Sequence, residues 1–90
     1  IMSALQKSQQ AKAEVFCKQA EALLSKKSWF SSASRNSEDA AENFVLAANA
    51  YKVGGMMQEA GKMYCKAAEL YNGAAQNPSE AAKSYSQAGN

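Results

Sequence analysis

The sequence predicts an all-α solenoid of helical hairpins, with about four antiparallel helices in 90 residues. One frame, written three times, predicts it. Asp39-Ala40-Ala41-x-x-Phe44-x-x-Ala47-Ala48, Glu59-Ala60-Gly61-x-x-Tyr64-x-x-Ala67-Ala68 and Glu80-Ala81-Ala82-x-x-Tyr85-x-x-Ala88-Gly89 share an acid, a small pair, an aromatic and a second small pair. Spacings of 3, 4 and 7 put each set on one helix face. Small residues there let neighbouring helices approach closely, and the aromatic fills the space between them. The period is the second observation. Ala40, Ala60 and Ala81 stand 20 and 21 residues apart, one helix plus a turn each. Two units therefore make a hairpin of about 40 residues, in the range of helical-repeat arrays. Third, no segment alternates with a period of two, so no sheet is expected.

The first helix is expected at about 3–25. Leu5, Val15 or Phe16, Ala20, Leu23 and Leu24 recur at helical spacing among lysines and glutamines. It lacks the clean frame, as a terminal unit does. A serine-rich loop follows at about 26–36, Lys26-Lys27-Ser28-Trp29-Phe30-Ser31-Ser32-Ala33-Ser34-Arg35-Asn36. Asn36 or Ser37 is placed to cap a second helix at 37–53, with Glu38 and Asp39 in its positive first turn. Gly54-Gly55 supplies the backbone freedom that ends it. A third helix spans about 56–72 and ends near Asn72-Gly73. Asn77-Pro78-Ser79-Glu80 is the strongest local signal: Asn77 caps, Pro78 takes the first helical position, and Glu80 can bond back. The fourth helix is expected at 78–90, in a chain read as the N-terminal part of a longer array.

Composition narrows the function classes. The chain is 47% hydrophobic, but much of that is alanine, so each helix brings a thin core stripe and depends on its neighbours. The net charge of +2 is too small to argue for nucleic acid. Its distribution is uneven. In residues 1–35, Lys7, Lys12, Lys18, Lys26, Lys27 and Arg35 face only Glu14 and Glu21, a net of +4. The remaining residues carry −2. Cys17 and Cys65 stand 48 positions apart and histidine is absent, so no metal-ligand cluster is expected and buried free thiols are the default. No Ser-His-Asp, Cys-His or paired-carboxylate constellation and no phosphate-cradling glycine loop is present, so neither an enzyme nor a cofactor is expected. Phe44, Tyr51, Tyr64, Tyr71 and Tyr85 read as core at helical spacing, with tyrosine hydroxyls reaching the rim.

Trp29 and Phe30 break this pattern. Two large aromatics side by side in a serine-rich loop, beside Lys26 and Lys27, suit a membrane-surface contact. The rings would enter the interface and the lysines would meet anionic headgroups. The plainer reading has Trp29 folding back over the end of the first hairpin.

The frame is tetratricopeptide-like, yet its hairpin period is nearer 40 than 34 and the Trp-Leu-Gly-Tyr signature of that class is missing. The chain resembles more closely the N-terminal portion of the soluble NSF attachment protein (SNAP) family, alpha/beta branch. The residues that carry the resemblance are Ala13-Glu14-x-Phe16-x-x-Gln19-Ala20-Glu21, Ser28-Trp29-Phe30-Ser31, Ala47-Ala48-Asn49-x-Tyr51-Lys52, Ala60-Gly61-x-x-Tyr64-Cys65-x-Ala67-Ala68-x-Leu70 and Ala88-Gly89-Asn90. The resemblance implies a cytoplasmic, peripherally membrane-associated adaptor in vesicle trafficking. It implies a twisted sheet of helical hairpins that coats the SNARE four-helix bundle and recruits the hexameric ATPase NSF, through regions beyond this segment, for disassembly after fusion. The family's membrane-contacting hydrophobic loop falls on Trp29 and Phe30. The serine-rich remainder of the loop departs from the family pattern. A generic tetratricopeptide-like peptide-binding scaffold of the co-chaperone type is the alternative, and it needs a groove of convergent Lys, Arg and Asn side chains.

Overall fold

The computed structural model describes residues 3–25, 33–73 and 77–88. Four helices follow one another: α1 (Ala4–Ser25), α2 (Ala33–Val53), α3 (Met57–Asn72) and α4 (Pro78–Ala88). Among the described residues there is no strand.

Local chemistry sets most of the helix ends. The Ser3 hydroxyl accepts the Gln6 N–H at 3.1 Å, capping α1. The end of α2 is a Schellman closure: Gly55 N–H reaches the Lys52 carbonyl at 3.0 Å and Met56 N–H the Tyr51 carbonyl at 2.8 Å. Gly55 takes φ +81° to make this possible. At the start of α4, Asn77 Oδ1 accepts the Glu80 N–H at 3.3 Å, and its carbonyl takes the first helical bond from Ala81 N–H at 3.0 Å. Pro78 fills the first helical position as expected.

One boundary differs from the sequence reading. Helix α2 begins at Ala33, so Ala33, Ser34, Arg35 and Asn36 are helical and neither Asn36 nor Ser37 is a cap. Ser and Asn lose only a few tenths of a kcal/mol per residue in helix, and extending a nucleated helix adds a backbone bond each time.

The helices form a layer. The principal extents of the Cα trace are 45 × 26 × 11 Å, a flattened array. Substantial contacts join consecutive helices: α1 with α2, α2 with α3, and α3 with α4. Gln9 of α1 faces Gly54 at the far end of α2, as an antiparallel pair requires. The seams are alanine-lined. Ala13, Ala20, Ala40, Ala41, Ala47, Ala48, Ala60, Ala67 and Ala81 are buried, with Phe44, Tyr51, Tyr64, Tyr71 and Met63 between them. The Cys17 thiol donates to Met63 Sδ at 3.3 Å, linking α1 to α3 across α2.

Several residues placed in the core by spacing are outside it. Leu5, Val15 and Leu24 are exposed on α1, where Phe16 and Leu23 are the half-buried members. Cys17 and Cys65 are half-buried free thiols. Tyr85, the third aromatic of the frame, is 47% exposed, against 3% for Phe44 and 2% for Tyr64. Phe44 and Tyr64 lie on helices with a neighbour on each side, whereas α3 alone packs on α4 among the described residues.

Candidate interaction surfaces

A flattened array offers two broad faces. Helix α2 carries both. Phe44 and Leu46 are two positions apart, about 200° around the helix, and so look to opposite sides.

On one side Leu24 of α1 and Leu70 of α3 border a groove of about 350 Å³ whose floor is Phe44. Lys66 lies over the Phe44 ring, 5.5 Å from its centroid, and Glu21 and Glu69 complete the walls. This is an apolar trough with mixed charge at its lip.

The other side is built around a ridge of α2. Leu46 and Asn49 stand between a furrow toward α1, bordered by Lys12 and Phe16, and a deeper groove of about 390 Å³ toward α4. Tyr64 donates its hydroxyl to Asn49 Oδ1, fixing that amide on the ridge. The deeper groove is bordered by Glu42 on α2 and by Glu80, Lys83, Ser84 and Gln87 on α4, with Tyr71 of α3 beneath. Tyr71 is 4% and Ser84 2% exposed. Neither hydroxyl makes a hydrogen bond among the described residues, so both open into the groove. Burial first, then Glu42, Glu80 and Glu38, push the Tyr71 phenol up to about 12. Burial likewise raises Tyr51 and Tyr64 and, against the pull of Lys66, the Cys17 thiol.

Sequence reasoning did not single out this groove. Its signal was present in the frame: Glu42 and Lys83 occupy the same position, two residues after Ala40 and Ala81. Helices one hairpin apart present equivalent positions to the same side, so the two had to look across a common gap. The residues nominated from sequence, Trp29, Phe30, Lys26 and Lys27, lie outside the described residues; α1 ends beside them with Leu24 exposed. Among the described residues no three His, Cys, Asp or Glu side chains gather closely enough to hold a metal ion, and no helix is long and apolar enough to cross a membrane.

The family model for soluble NSF attachment protein, SNAP, matches residues 11–90. The match takes in most of α1, all three copies of the frame and the layer they build. The chain belongs to the SNAP family. No curated protein and no solved structure matches it significantly. The all-helical hairpin array is the architecture this membership implies, and the helices observed here agree with it.

Proposed function

We propose that this SNAP-type adaptor binds the SNARE four-helix bundle and recruits the NSF ATPase to disassemble it after membrane fusion. The family match over residues 11–90 carries the reading. The geometry suits it: a thin, alanine-seamed array presents a long face to an elongated helical partner. Work is done by the ATPase, and the adaptor supplies shape and proximity. Trp29 and Phe30, with Lys26 and Lys27 beside them, hold the N-terminal end at an anionic membrane in this proposal. A membrane hold raises the local concentration of adaptor around membrane-embedded bundles.

Two measurements test it. Full-length protein is expected to be retained on an immobilised, pre-assembled SNARE bundle, and retention no greater than on bare resin removes the reading. Co-sedimentation with liposomes containing phosphatidylserine is expected to drop severalfold in a Trp29→Ser, Phe30→Ser variant. Equal sedimentation of the two proteins removes the membrane role and leaves bundle binding standing.

A further inference from the structure

The α2–α4 groove has features that a helix seam alone does not require. Two residues almost wholly buried, Tyr71 and Ser84, turn hydroxyls without hydrogen-bond partners toward it. Among the described residues the Tyr64 hydroxyl is bonded to Asn49, and the other buried hydroxyl residues, Ser37 and Tyr51, do not line this groove. Around these hydroxyls stand Glu42 and Glu80, with Glu38 close enough to act on the Tyr71 phenol. None of the three carboxylates forms an ion pair among the described residues, where the Lys62–Glu59 pair at 3.7 Å is the one bridge. Lys83 is the single cation bordering the groove, and it leaves the acids in excess.

We infer that this groove receives an arginine side chain presented by a protein partner. The acids flank the groove without converging as a metal site would need, so a compact divalent ion is the wrong shape for it. A guanidinium is planar and forked, with five N–H donors and no acceptor. It can address Glu42 on α2 and Glu80 on α4 at once, while the Tyr71 and Ser84 oxygens accept what remains. Charge-assisted bonds of this kind are about twice as strong as neutral ones. The volume of about 390 Å³ lies within the range of ligand-sized clefts. The inference needs neither the SNARE bundle nor the membrane, so it stands or falls apart from the proposed function.

A nuclear magnetic resonance titration of the full chain tests it. The probe is a capped alanine peptide carrying one arginine, with its citrulline counterpart as the neutral isostere. The arginine peptide is expected to shift the resonances of Tyr71, Lys83, Ser84 and Gln87 saturably, and the citrulline peptide to leave them in place. The double variant Glu42→Gln, Glu80→Gln keeps the shape of the groove and is expected to weaken binding about tenfold or more. Tyr71→Phe is expected to weaken it about threefold, and Lys83→Gln to tighten it. The inference is overturned if no saturable shift appears at millimolar peptide, if citrulline binds equally, if the carboxylate variant binds unchanged, or if the shifts centre on Glu21 and Glu69 of the opposite face.

Discussion

Tyr71 is the residue at which packing and electrostatics meet. It is core by spacing and core by burial, yet its phenol lies among three carboxylates. On unfolding, the phenol returns toward its ordinary value of 10.0, while in the fold it stays protonated until about 12. Between those values the unfolded chain has released a proton that the folded chain keeps, so stability falls as pH rises through the window and is intact below it. The loss is on the order of 2 kcal/mol. Tyr71→Phe is expected to flatten the fall across pH 10 to 12, read from urea midpoints. A residual slope from Tyr51 and Tyr64, which shift the same way, remains. An unchanged slope in the variant contradicts the assignment. That Tyr71 would be buried was legible from its helical spacing. That acids would surround it was not, because Glu38, Glu42 and Glu80 come from two helices that only the hairpin brings together.

Punctuation governs the elements, and most of it was readable. Gly54-Gly55 and Asn77-Pro78 act through bonds of one or two turns, so sequence neighbours suffice to predict them. Gly55 and Gly54 nevertheless differ in kind. A Cβ at Gly55 meets nothing within 4 Å, so Gly55→Ala charges only the left-handed backbone, about 1–2 kcal/mol. Gly55→Asn is expected to recover part of it. A Cβ at Gly54 lies 3.2 Å from the Gln9 Cβ, so Gly54→Ala acts by displacing α1. Chemical denaturation of the three variants separates the cases: a Gly55→Ala protein as stable as the parent is incompatible with the Schellman closure. The start of α2 was less legible. Serines at 31, 32 and 34 argue for a loop on propensity, and cooperative extension of the helix back to Ala33 outweighs that preference.

At the scale of the molecule, periodicity identifies a helix face but not whether a neighbour covers it. Leu5, Leu24 and Tyr85 fit the apolar pattern and are exposed, because a layer leaves sides of its helices uncovered. The same arrangement predicts graded stability. In α1 only Ala13 and Ala20 are buried, against six residues in α3. Hydrogen exchange of the full protein is expected to show α1 amides opening at lower free energy than those of α3, as a nearest-neighbour array allows. Equal protection of the two helices contradicts it. The 11 Å dimension also has a mechanical side. The resistance of a plate to bending falls with the cube of its thickness, so the array yields most readily at its seams, where small alanines flank single aromatics. Along the helix axes the backbone hydrogen bonds keep the plate stiff. Such an object twists across its seams and resists stretching along its struts, so a torque applied at one edge reaches the other as a change of curvature.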